Sequence, residues 1–195
     1  MCGREVSEPT HHSNGPARKA AQSGEREYWT FFMRILFPLS LCLMSFVSNA
    51  ADTKFGGIVL LQPDFVLQEK GINVQDFANL IRAVQAQTEK EWKTENLPSS
   101  TGFLVVAVRE GKKVNSWLDM EPAIPAEVEK RTRQLLSASE GFHVSRGTVV
   151  FAIKTSVNGA SETSRQTPMP KEWQAAMKSR LLPVETENLV KLVWP

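Results

Sequence analysis

The sequence contains little of the chemistry on which most enzymes and metal sites depend. Its 195 residues include two cysteines, Cys2 and Cys42, and three histidines, of which only His143 lies after residue 50. Thiol catalysis, a disulfide framework and a two-histidine metal site are therefore excluded from residues 51–195. No Gly-x-Ser-x-Gly elbow is present, so we expect no catalytic residues, no cofactor and no metal ion.

The sequence also lacks an excess of charge of one sign. It has 23 lysines and arginines against 21 aspartates and glutamates, a formal net charge of +2 at pH 7. This near balance provides neither the basic surface that binds nucleic acid nor a polybasic membrane motif. We therefore expect no nucleic-acid partner.

No apolar run is long enough to cross a bilayer. The longest, at residues 35–47, falls short of the roughly 20 residues that a spanning helix needs. It follows Met33 and Arg34 and ends at Ser48-Asn49-Ala50, the small-residue pattern of a cleavage site. Residues 33–50 are therefore predicted to be a signal peptide that is cleaved after Ala50. We expect a periplasmic or secreted protein without a stable membrane anchor.

Residues 1–32 precede this predicted signal peptide and have no apolar periodicity with which to build a core. One interpretation is an upstream start codon assigned in error, which makes Met33 the first residue. The other is a disordered, cytoplasmic tail that keeps the apolar segment as an anchor, and the short apolar run argues against it. Residues 51–195 have the length of one domain.

Hydrophobic periodicity predicts a small α+β domain. The clearest element is a helix that begins at Val74 after its cap Asn73, has one apolar stripe from Val74 to Trp92, and is predicted to end near Asn96-Leu97-Pro98. The other predicted elements are strands at 57–61, 102–109, 113–120 and 148–157, a turn at 110–112, helices at 126–138 and 171–182, and an edge strand or docked tail at 188–195. Together they indicate a three- to four-stranded, mainly antiparallel sheet packed with two or three helices.

Three residues of the predicted strand 113–120 are candidates for binding a partner. In this strand Asn115, Trp117 and Asp119 alternate with Val114, Ser116 and Leu118, so the two sets lie on opposite faces. The pattern indicates that the face of Asn115, Trp117 and Asp119 is the wetter one. Exposed tryptophan is a common interface anchor, which predicts a site at Asn115, Trp117 and Asp119. In the alternative interpretation a helix covers this face and Trp117 belongs to the core.

The order of elements over residues 74–157 resembles the C-terminal domains of the TonB and TolA envelope proteins. It is a helix ending in Trp92, a hairpin with Glu110-Gly111-Lys112 at its turn, a helix and a strand. The resemblance implies docking on, or adding a strand to, a partner, and no functional residue is carried over. We therefore expect an envelope accessory, adaptor or inhibitor-type domain that binds another envelope or secreted protein.

An alternative function is a hydrolase that acts on an envelope polymer with carboxylates as acid and base. This interpretation requires side chains such as Asp64, Asp119 and Glu121 to meet in space. Invariant polar residues in a concavity would favour it, whereas a preserved aromatic surface patch would favour the binding domain.

The signal-peptide prediction is checked by expression from Met33 in a host that secretes. We expect the mature chain to begin at Ala51 and to be recovered in the soluble periplasmic or secreted fraction, because Ser48-Asn49-Ala50 suits signal peptidase. N-terminal sequencing measures the outcome. A membrane-bound product that retains residues before Ser48 would contradict it.

Overall fold

The computed structural model of this chain describes residues 51–178, 180 and 184–194. Residues 1–32 and the predicted signal peptide at 33–50 lie outside the described residues. The elements in chain order are β1 (Thr53–Leu60), α1 (Asp64–Glu69), α2 (Val74–Trp92), β2 (Ser100–Arg109), β3 (Lys113–Glu121), α3 (Ala126–Ser137), β4 (Thr148–Val157), α4 (Lys171–Met177) and α5 (Thr186–Val193). A 3-10 turn, Glu110–Lys112, joins β2 to β3. None of the described helices has the length and hydropathy needed to span a bilayer.

The four strands form one antiparallel sheet in the order β1-β4-β2-β3. The predicted class is therefore confirmed: the described residues form a single small α+β domain around a four-stranded antiparallel sheet. β2 and β4 are the central strands and are buried along almost their whole length. Both of their faces are covered, which explains why their sequences are apolar at nearly every position.

One face of the sheet packs against α2 and α3. Helix α2 begins where predicted but ends at Trp92, a turn before the predicted end near Pro98, and the side chain of its cap Asn73 accepts hydrogen bonds from the N–H groups of Gln75 (2.8 Å) and Asp76 (3.1 Å). At the other end of α2, Trp92 Nε1 donates to Thr132 Oγ1 of α3 at 2.9 Å. This buried bond joins the two helices and satisfies the indole N–H.

The other face is covered by the short helices α4 and α5. Trp117 packs there against Trp173 of α4, edge to face, with ring centroids 5.7 Å apart. Its side chain is 0% exposed. Of the two interpretations of β3, the wet face with an exposed Trp117 was therefore wrong, and the one in which a helix covers this face and Trp117 belongs to the core is confirmed.

Three other local predictions differ from the structure. Helix α1 was not predicted, because six residues after Pro63 are too short to show a helical period. The last segment is the helix α5, docked on the sheet, so the docked tail is confirmed and the edge strand was wrong. Helix α4 ends at Met177, short of the predicted end at Leu182: Lys178 and Arg180 are not helical, and residues 179 and 181–182 lie outside the described residues.

Truncation of Trp117 tests its place in the core. We expect Trp117→Ala to lower the free energy of unfolding by about 3–5 kcal/mol, because it leaves a large cavity under α4. Trp117→Phe should cost much less, since it keeps a ring and removes an indole N–H that has no acceptor among the described residues. Urea titration measures both. The control is Phe65→Ala, because Phe65 is an aromatic residue that is 63% exposed. Its free energy of unfolding should change by less than about 1 kcal/mol. An equal loss of stability in Phe65→Ala and Trp117→Ala would contradict the assignment of Trp117 to the core.

Candidate protein-binding edge

The two edge strands of the sheet offer different surfaces, and the β3 edge is polar. Helices α3 and α4 flank it and are joined by ion pairs of Lys171 with Glu129 (2.7 Å) and Arg133 with Glu172 (2.5 Å). Glu129, Arg133 and Lys171 line an open cavity of about 370 Å³ together with Asn115. Asn115 Oδ1 also accepts the N–H of Ser116 at 2.9 Å, so a backbone donor of this strand is already engaged.

Asp119, also predicted as a binding residue, is occupied within the domain. Its carboxylate accepts two hydrogen bonds from Arg165 Nη1 (3.1 and 2.9 Å) and one from the N–H of Met169 (2.6 Å). Arg165 Nη2 donates to the Asp119 carbonyl at 2.9 Å, and the guanidinium lies 5.3 Å from the ring centre of Phe103. The charge-assisted bonds hold the loop between β4 and α4 on the sheet. Of the three predicted residues, Trp117 is core, Asp119 is an anchor of this loop, and only Asn115 lines an accessible cavity.

The β1 edge is apolar. A bulge at Gly56 and Gly57 interrupts its pairing with β4, and the ladder resumes at Ile58. Beyond the bulge, Ile58 is 43% and Leu60 is 40% exposed. Their register partners are Ile153 and Phe151, so both side chains lie on the same face. The outer side of this stretch has no strand neighbour among the described residues. We call residues 58–61 the apolar edge.

A buried glutamine fixes the chain where the apolar edge ends. Leu61 N–H donates to the Val150 carbonyl at 3.2 Å, and the side chain of Gln62 then takes over the pairing. Gln62 Nε2 donates to the Thr148 carbonyl and its Oε1 accepts the Val150 N–H, both at 3.0 Å. The amide replaces a backbone ladder, so β4 stays satisfied while the chain turns into α1.

The apolar edge continues into a groove made of two adjoining cavities, of about 570 and 380 Å³. Leu61, Gln62, Pro63 and Thr186 line both. The larger cavity is otherwise mainly apolar, with Leu60, Pro168, Met169, Trp173, Met177, Val184 and Leu189. The smaller cavity adds Phe65, Val66, Glu185 and Glu187. A mostly apolar concavity of this size with a few polar groups is typical of a recognition site, and methionine side chains adapt to different shapes.

An almost fully buried lysine holds the far wall of this groove in place. Lys70 Nζ donates to the Thr148 carbonyl (2.6 Å) and to Glu187 Oε2 (2.7 Å), which ties the end of α1 to β4 and α5. Glu187 also pairs with Lys191 at 3.2 Å. Burial raises the pKa of the Glu187 carboxyl, but the hydrogen bonds and charges of Lys70 and Lys191 outweigh burial, and the pKa is lowered from its ordinary value of 4.5.

Of the carboxylates named for a hydrolase, Asp64 does not meet the other two. Asp64 follows the edge strand β1, whereas Asp119 and Glu121 belong to the opposite edge strand β3. Three strand spacings separate the two edges, roughly 14 Å. Among the described residues, no group of three or more His, Cys, Asp or Glu side chains is placed to hold a metal ion.

Comparison with known proteins identifies no relative: no protein-family model, no curated protein and no solved structure matches this chain. The resemblance to the TonB and TolA domains therefore stays a prediction.

Sequence reasoning did not find the apolar edge or its groove. One signal was available in Leu60-Leu61-Gln62-Pro63, an apolar pair directly before a proline that cannot continue a ladder. The other wall comes from residues 167–189, more than a hundred positions away, and the long-range packing that brings them there has no local pattern.

The wall pair Lys70–Glu187 makes stability depend on pH. A lowered carboxyl pKa contributes stability that is fully present above the ordinary value of 4.5 and is lost as the pH falls through the lowered, folded-state pKa. We therefore expect the urea midpoint of the wild type to fall between about pH 6 and pH 3 more steeply than that of Glu187→Gln. Equal slopes for the two proteins would contradict a stabilising charge at Glu187.

Proposed function

We propose that this chain is a secreted or periplasmic protein-binding domain, an envelope accessory that captures an extended segment of a partner protein. The segment adds as a strand to the apolar edge and places apolar side chains in the adjoining groove. The observation that carries this proposal is the open outer side of residues 58–61, where Ile58 and Leu60 are 43% and 40% exposed and Leu60 and Leu61 also line the larger cavity.

The backbone of the edge supplies affinity that is independent of partner sequence. An edge strand presents unpaired N–H and C=O groups, and an extended peptide satisfies them as a further strand. The side chains supply selectivity, because Ile58 and Leu60 are two residues apart on one face. A partner with apolar residues at alternate positions covers both, and covering the exposed part of each contributes about 1 kcal/mol.

The opposite edge is unsuited to the same task. β3 has charged residues at both ends, Lys113 and Glu121, and a charged network of α3 and α4 beside it. Charged side chains on an edge strand oppose pairing with another chain. The proposal therefore places the partner at β1.

The start of the fold is compatible with secretion. Ala51, the first residue after the predicted cleavage site, is 7% exposed and belongs to the core. Asp52 and Asn158 bind each other twice, through Asp52 N–H to Asn158 Oδ1 (3.1 Å) and Asn158 N–H to the Asp52 carbonyl (2.8 Å). Cleavage after Ala50 leaves these contacts intact, which supports the proposal of an exported domain.

Selection from a random peptide library displayed on phage tests the binding proposal. With the full-length protein as bait, we expect the enriched peptides to have apolar residues at alternate positions. A synthetic peptide of the enriched sequence should slow amide hydrogen exchange in residues 58–61. Ile58→Lys should weaken its binding at least tenfold, because the ammonium must be desolvated for a strand to pair beside it.

Leu135→Lys is the matched control, since Leu135 is an apolar side chain, 39% exposed, on α3. Its binding should equal that of the wild type. Protection of β3 amides in place of β1 amides would contradict the proposed site. An equal loss of peptide affinity in Ile58→Lys and Leu135→Lys would contradict it too.

A further inference from the structure

One carboxylate of the groove has no ion-pair partner among the described residues. Glu185 lies at the start of α5 and lines the smaller cavity with Phe65. Its side chain is exposed, makes no cap hydrogen bond to α5, and forms no ion pair with any described residue.

The neighbouring acid shows the contrast. Glu187, the other carboxylate that lines the groove, is held by Lys70 at 2.7 Å and Lys191 at 3.2 Å. Its charge is therefore compensated within the domain. The negative charge that remains available in the groove is that of Glu185.

The second feature of the smaller cavity is an aromatic ring. Phe65 is 63% exposed, although α1 buries Leu67 of the same helix against the core. An exposed ring beside an uncompensated carboxylate suits a side chain with an apolar stem and a cationic head. Arginine fits best, since its guanidinium both stacks on an aromatic face and pairs with a carboxylate.

We propose that the partner segment carries an arginine or lysine at one end of its apolar stretch, and that this residue pairs with Glu185 while its stem lies on Phe65. This inference rests on the proposed function and specifies the partner further. The smaller cavity lies beyond the C-terminal end of β1. A strand that adds antiparallel to β1 therefore carries the cation before its apolar residues, and one that adds parallel carries it after them.

Four synthetic peptides test the inference. Each is ten residues long with alternating isoleucine and threonine; two have a single arginine, at the N-terminal or the C-terminal end, and two have glutamine in its place. Binding is measured by titration calorimetry with the full-length protein and with Glu185→Gln. Glu89→Gln is the control, because Glu89 is an exposed acid on α2, away from the groove.

We expect one arginine peptide to bind the wild type and Glu89→Gln about five- to tenfold more tightly than its glutamine counterpart. The end at which arginine is effective gives the strand direction. In Glu185→Gln this advantage should disappear while the glutamine peptide binds unchanged. An arginine advantage that survives in Glu185→Gln would overturn the inference.

The results also separate this inference from the proposed function. In one outcome, a glutamine peptide binds and loses affinity in Ile58→Lys while arginine adds no affinity. That result refutes the cationic residue of the partner and leaves the binding site at the apolar edge. If none of the peptides binds, or Ile58→Lys has no effect, both are refuted. A dimer in sedimentation analysis that Ile58→Lys dissociates would assign the edge to a second copy of this chain and overturn the inference.

Discussion

The requirement that every buried backbone group be paired shapes this domain. Helices cover both faces of the sheet, and the central strands β2 and β4 have a paired strand on each side. Neither their side chains nor their backbone groups are therefore open to a partner. The backbone is accessible only along β1 and β3, and a partner that uses main-chain hydrogen bonds must dock at one of them. The proposed function uses β1, because β3 is flanked by ion pairs whereas residues 58–61 of β1 are apolar.

The two helical layers achieve their packing by different means. The layer of α2 and α3 rests on a long amphipathic helix and one buried indole bond, from Trp92 to Thr132. The layer of α4 and α5 has little apolar area in each helix and is held in addition by ion pairs, Arg165 with Asp119 and Lys70 with Glu187. Partly buried ion pairs of this kind contribute little net stability, but they select one arrangement of α4 and α5 on the sheet. The groove lies within this second layer, so its shape depends on those pairs.

The elements that were predicted correctly are those whose local pattern and tertiary environment agree. The start of helix α2 and both bounds of strand β4 are as predicted, because one has a single apolar stripe with a cap and the other is apolar throughout. The face of β3 stayed open between two interpretations, because Asn115 and Asp119 beside Trp117 indicate a wet face. In the fold, Arg165 satisfies Asp119, and α4 covers Trp117, from more than forty residues away. The apolar edge escaped prediction for the same reason, since a single sequence does not reveal which strand lies at an edge.

The bulge at Gly56 and Gly57 limits how far any chain can follow β1. A ladder in register with Ile58 loses its register at the bulge, so an added strand pairs with about four residues and then diverges. Two copies of the domain therefore cannot pair along the whole of β1, which opposes the growth of a continuous intermolecular sheet.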